Sequence, residues 1–302
     1  MVPKTRRSRK RRRSHRIQVK EGLKATTVSI PAPSSFRCLV FDSGIGGMGV
    51  VQTLRNSYPH LQLDYLADTA FFPYGEQADE VLAPRIIDLL SQACEALSPN
   101  ALVIACNTAS TIALPALREK LSVPVIGCVP PIRWAGRVSQ SRTIGLLATS
   151  ATARRPYVLN LHREFASDCH LIIHGARKLA DLAERAFLGD PIDDVEIQAE
   201  LDSLFHHPHG QEIDTIGLGC THYTFLLPAL QKLAKPSITW LDPAPAVARQ
   251  LQTVLEGLPV STQQPIRPAT VFTTSQPTDI NKLKLAMQKL KFEHWEIFKT
   301  AP

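Results

Sequence analysis

No run of apolar residues in this 302-residue chain approaches the roughly 18 that a membrane-spanning helix needs, which excludes a helical membrane protein. No apolar segment follows the basic start, as a secretory signal would require. The six cysteines (38, 94, 106, 128, 169 and 220) form no CxxC pair and no regular framework. That argues against a disulfide scaffold and a zinc site, and suits free thiols in a reducing cytoplasm. His206-His-Pro-His209 lies in a polar stretch and reads as an exposed loop rather than a ligand set.

Acidic residues are missing from positions 1–20, which hold ten Lys or Arg. Taking those ten from the formal charge of +7 leaves the rest of the chain at −3, so a mildly acidic body carries a basic extension. Residues 1–35 have little to bury and are expected to be a disordered, solvated extension, or the product of a start assigned too early. A nucleic-acid or anionic-surface contact is the sharper alternative, weakened by the lack of aromatics to stack on bases. The Arg- and Ser-rich start also resembles a transit segment, although it shows no amphipathic period.

The remainder, in a chain with 44% hydrophobic and 20% charged residues, has the composition of a globular protein long enough for about two domains. Short apolar runs alternate with helical stretches, the pattern of parallel sheets flanked by helices. Strands are expected at Phe36–Phe41, Leu61–Leu66, in the run before Cys106, at Val123–Cys128, Arg142–Ser150 and Cys169–His174, in the run before Cys220, and at Ile238–Asp242 and Ala269–Ser275. Pro130-Pro131 marks a crossing between domains. The expected division is 36–132 plus 243–302 for the first α/β domain and 133–242 for the second.

Two stretches carry the chemistry. Ala101–Ser110 and Ile213–His222 each run from apolar residues into a cysteine and then small polar residues. Each places its thiol, Cys106 or Cys220, where a strand hands over to a helix, the edge at which open α/β sheets bind ligands. A helix N-terminus there should ease loss of the thiol proton. Leu114-Pro-Ala-Leu117 follows the first cysteine and Leu227-Pro-Ala-Leu230 the second, which suggests an internal duplication. A buried structural cysteine is the ordinary alternative for either thiol. Two at mirrored edges suit an acid and a base on opposite faces of one substrate. Gly44-x-Gly46-x-x-Gly49 also matches a dinucleotide fingerprint, with Asp64 and Asp68 downstream. Asp42 beside the first glycine would repel a pyrophosphate, so a small anion held by backbone amides is the better reading.

Phe41-Asp-Ser-Gly-Ile-Gly-Gly47, Ala67-Asp-Thr-Ala-Phe-Phe-Pro-Tyr-Gly75, Ala105-Cys-Asn-Thr-Ala-Ser110, Pro124-Val-Ile-Gly127 and Gly219-Cys-Thr-His-Tyr223 occur in this order over roughly residues 36–245. As a set they resemble the glutamate racemases of the aspartate/glutamate racemase superfamily. The resemblance implies two similar α/β domains with the active site at their interface. It implies cofactor-independent, metal-free interconversion of L- and D-glutamate in the cytoplasm, supplying peptidoglycan synthesis, and it allows a homodimer. It places the catalytic thiols at Cys106 and Cys220, with Asp42 and His222 assisting. It places substrate contacts at Asp42, Ser43, Tyr74, Gly75, Asn107, Thr108, Thr221 and His222. There are two departures. Leu171–Arg177 stands where the family often carries a Pro/Glu-bearing segment, so no assisting glutamate is transferred from it. Leu241-Asp-Pro-Ala244 replaces an Asp-Ser-Gly-like element.

Overall fold

The strand beginning at Arg37 is apolar from Cys38 to Phe41, and every residue in it is buried. An uninterrupted buried run of this kind belongs in a parallel sheet covered on both faces. The computed structural model describes residues 36–259 and 267–300. The extension 1–35, and the disorder expected of it, lie outside the described residues.

The elements of the first sheet are β1 (Arg37–Asp42), α1 (Met48–Ser57), β2 (Gln62–Ala67), α2 (Asp79–Leu97), β3 (Ala101–Ile104), α3 (Asn107–Lys120) and β4 (Val125–Gly127). The chain then builds a second sheet. Its elements are α4 (Ile132–Val138), β5 (Thr143–Ala148), α5 (Ser150–Ala153), α6 (Pro156–Phe165), β6 (His170–Gly175), α7 (Leu179–Leu188), α8 (Asp194–Phe205), β7 (Thr215–Gly219), α9 (Leu227–Leu233) and β8 (Thr239–Leu241). After α10 (Ala244–Glu256) the chain returns through β9 (Thr270–Thr273), α11 (Ile280–Lys289) and β10 (His294–Ile297).

The strand orders are β10-β9-β2-β1-β3-β4 and β6-β5-β7-β8, and every pairing is parallel. The block β2-β1-β3-β4 therefore repeats as β6-β5-β7-β8, and each cysteine of interest follows the third strand of its block. Side chains of β1 alternate between two cores, Cys38 and Val40 on one face, Leu39 and Phe41 on the other. Burying a Leu, Val or Phe side chain stabilises the fold by about 1.5–3 kcal/mol, so these central strands hold their ends firmly. The strand ends are where the site is built.

The repeat is looser in its helices. Pro115 lies inside α3, which begins directly after Cys106. Behind Cys220 comes a 3₁₀ turn over Thr221–Leu226, and Leu227-Pro-Ala-Leu230 only then opens α9. The matching tetrapeptides thus sit mid-helix in one lobe and at a helix start in the other. Helix α8, whose Ile197, Leu201 and Leu204 are buried at i, i+4, i+7 spacing, was not among the expected elements. Nor was β10, where only Trp295 is even partly buried and no apolar run marks the strand.

Candidate active site

Asp42 ends β1, Cys106 follows β3, Thr149 follows β5 and Cys220 follows β7, so the carboxyl ends of the two central strand pairs supply the site. Asp42 is fully buried. Its carboxylate accepts the Thr221 hydroxyl at 2.8 Å and the Gly44 N–H at 3.1 Å, and lies 4.0 Å from His222 Nδ1. It therefore ties the first lobe to the loop after Cys220. Burial pushes the Asp42 carboxyl up, against the pull of His222 and the bonds from Gly44 and Thr221.

Cys106 caps α3, its Sγ accepting the Ala109 N–H at 3.4 Å. The helix terminus was expected to ease its deprotonation. Burial and the neighbouring Asp42 charge outweigh it and hold the thiol protonated well above its usual range; the Ala109 N–H and the Ser43 hydroxyl recover only part. The two cysteines are tied through Asp42, whose charge acts on Cys106 and whose carboxylate accepts the hydroxyl of Thr221, next to Cys220. They are 6% and 7% exposed, which shuts both from bulk water.

Cys220 heads a 3₁₀ turn without a capping side-chain bond, unlike Cys106. Its partner is a side chain: Sγ lies 3.7 Å from His222 Nδ1. His222 Nε2 in turn lies 3.0 Å from Glu184 Oε1 on α7. Burial pushes the imidazole down. Its bonds to Cys220 and Glu184, with the charges of Cys220 and Asp42, prevail and hold it protonated well above the usual histidine range. No assisting glutamate was transferred from Leu171–Arg177. The structure brings Glu184 from the following helix, where it also accepts the Ile45 N–H at 2.8 Å.

The glycines of the β1–α1 loop explain that contact. A Cβ on Gly44 would lie 2.2 Å from Glu184 Oε1, and one on Gly46 would lie 2.3 Å from His222 Nδ1. The Tyr65 hydroxyl donates to the Gly44 carbonyl at 2.7 Å and pins the loop. The face a pyrophosphate would use is filled by the second lobe. Asp64 is engaged by Arg37 at 2.8 Å and Arg267 at 2.6 Å, Asp68 by Arg85 at 2.8 Å, so the dinucleotide reading finds no room.

Asn107 is buried, and both its amide oxygen and nitrogen have no hydrogen-bond partner. Buried amides are seldom left unpaired, and this one stands directly after Cys106. The Thr108 hydroxyl lies 3.3 Å from that of Thr149 and 3.2 Å from that of Thr152, across the lobes. Gly75 abuts Thr149, where a Cβ would come within 2.9 Å. Tyr74 packs in the same core cluster as Cys106, but its hydroxyl donates to Asp68 at 2.7 Å. Ser43, Thr221 and His222 join the Asp42 network, and Phe72 lies over the His222 ring with centroids 5.4 Å apart. Glu184 and Thr152 carry no local sequence signal of a site, because their roles depend on packing between lobes; Phe72 lies within the Ala67–Gly75 motif but was not singled out.

The chain can be set beside known proteins. A family model described as Asp/Glu/Hydantoin racemase matches residues 49–251. The glutamate racemase of Granulibacter bethesdensis is 52% identical over 212 residues, covering 70% of this chain and 76% of that protein. That of Vibrio vulnificus is 37% identical over 261 residues, covering 86% and 96%. The crystal structure of Escherichia coli glutamate racemase in complex with L-glutamate and the activator UDP-MurNAc-Ala matches with a TM-score of 0.83 at 31% identity, over 89% of this chain and all of that one. Two parallel α/β lobes with a thiol behind the third strand of each make an isomerase scaffold, and the chain belongs to the Asp/Glu/hydantoin racemase family. Within that family it groups with the glutamate racemases.

Proposed function

We propose that the chain interconverts L- and D-glutamate by moving one proton between two thiols, and thereby supplies D-glutamate for peptidoglycan synthesis in the cytoplasm. The observation that carries this is the Asp42 network: one buried carboxylate linked to the loop of Cys220 and acting electrostatically on Cys106.

The α-hydrogen of an amino acid is a very weak acid. Inversion needs a base on one face of Cα and a proton donor on the other. Cys106, kept as a thiol by burial and Asp42, begins as the donor. Cys220, whose Sγ lies 3.7 Å from His222 Nδ1, begins as the base, with His222 placed to exchange its proton. After one turnover the roles are reversed, and His222 and Asp42 return the protons. The base and the acid are both side chains of this chain, so the reaction is assigned to protein groups alone.

The unpaired Asn107 amide offers a donor and an acceptor to a zwitterion. Thr108, Ser43, Thr221 and the first N–H groups of α3 supply further bonds to carboxylates. Tyr74 and Gly75 form the wall beside them. Closure over these groups excludes water and strengthens each contact.

Incubation with L-glutamate in D2O, without added cofactor, is expected to place deuterium at Cα as optical rotation decays. Retention of the Cα proton would refute the reading. A panel with aspartate and other amino acids tests the assignment to glutamate.

A further inference from the structure

The lobes meet on both flanks of the buried sulfurs, and the flanks are built differently. On one, Phe72 of the first lobe packs against the core under the second sheet. Phe187, Leu188 and Phe225 of the second lobe pack against the core of the first. His222 and Glu184 press on Gly44 and Gly46 there. Parting this flank would expose aromatic surface and break the bonds of Thr221 to Asp42 and of the Ile45 N–H to Glu184.

On the other flank the contacts are polar. Thr108 faces Thr149 and Thr152, Gly75 touches Thr149, and Arg155 at the start of α6 makes a forked ion pair with Asp79 at the start of α2. The core clusters of the described residues stay within one lobe here. A cavity of about 310 Å³ lies at this seam, lined by Gln77, Asp79, Glu80, Ala151, Arg154 and Arg155. The ion pair is lopsided: Arg155 is 8% exposed and Asp79 is 54% exposed. Arg155 Nη1 is buried without a hydrogen-bond partner. Opening this seam trades hydroxyl and ionic contacts for water and hydrates an unpaired N–H, so it costs little.

We propose that ligand reaches the sulfurs through the Thr149–Arg155 flank, and that the Arg155–Asp79 pair is the latch holding this port shut. The apolar flank is the hinge. The inference rests on the racemase reading only for what passes through the port.

The test is alkylation of the whole chain by iodoacetamide, read at Cys106 and Cys220 by peptide mass, with the half-buried Cys94 as internal reference and no glutamate present. Asp79→Asn and Arg155→Gln are expected to speed alkylation about two- to fivefold, the scale of a half-exposed ion pair. The exchange Asp79→Arg with Arg155→Asp should restore the slow rate, while Arg154→Gln should leave it unchanged. In the unaltered chain, raising salt to 1 M should speed alkylation to a similar degree, since charges are then screened within about 3 Å. That arm needs no variant to fold. Unchanged rates in both single variants, equal acceleration by Arg154→Gln, a charge exchange as fast as the single variants, or salt-insensitive alkylation would each overturn the latch. Racemisation of glutamate in the same preparations is scored separately, so failure of the latch and failure of the racemase reading are told apart.

Discussion

Replacing Glu184 by Gln removes one negative charge and little volume. Glu184 Oε1 accepts both the Ile45 N–H at 2.8 Å and the His222 Nε2–H at 3.0 Å. A hydrogen bond to a charged partner contributes about 1.5–3 kcal/mol. Glu184 is 23% exposed, which favours the lower end of that range. At about 1.4 kcal/mol per pH unit, His222 should lose its proton roughly one unit lower in the variant. Above that point the imidazolium beside Cys220 is lost, so the alkaline limb of kcat/KM should move about one pH unit lower, and kcat/KM should fall about tenfold only at pH values above the limb of the unaltered chain. The two enantiomers have equal free energy, so kcat/KM must fall equally in both directions, while kcat and KM separately need not. Circular dichroism of glutamate solutions across pH 6–10 measures both directions. An unmoved alkaline limb with activity within about twofold would refute the assignment of His222 protonation to Glu184.

Cys106→Ser and Cys220→Ser should each abolish racemisation, because a serine hydroxyl is a far weaker acid, while the remaining thiol can still exchange the Cα proton of one enantiomer; full racemisation in either would rule out the two-thiol mechanism. Gly46→Ala should cost most of the activity, since its Cβ would lie 2.3 Å from His222 Nδ1 and 2.7 Å from Thr221 Oγ1. Its stability should fall by about 1–3 kcal/mol, the usual range for overpacking, as measured by urea unfolding. Burial pushes the Cys38 thiol from 9.0 up to about 12. The unfolded chain releases that proton first, so this stability contribution is complete below pH 9 and is lost as pH rises toward 12. Urea midpoints between pH 8 and 11 should fall, and less steeply in Cys38→Ala.

The β-strands were legible because a buried parallel strand is written as a short apolar run, as in Cys38–Phe41 and Ala101–Ile104. The two-lobed parallel α/β class followed from their alternation with helices. Helix α8 and strand β10 were missed, the first behind a polar surface and the second at a sheet edge with little buried area. The thiols and their flanking polar residues stood out because they lie in contiguous motifs at strand ends.

What contiguity cannot carry is a bond between distant residues. Glu184 meets Ile45 across 139 positions, and Arg155 meets Asp79 across 76. No local period encodes either pairing. Nor does a motif report burial: Cys106 reads as a helix-terminus thiol that deprotonates readily, and the packed interior reverses that. The sequence by itself determined most of the strands, the class of fold and the candidate side chains at the strand ends, because these depend on neighbours within one element. Only the tertiary structure decided the protonation of Cys106 and His222, the glutamate behind His222 and the ionic seam between the lobes, because electrostatics and hydrogen bonding act through space and not along the chain.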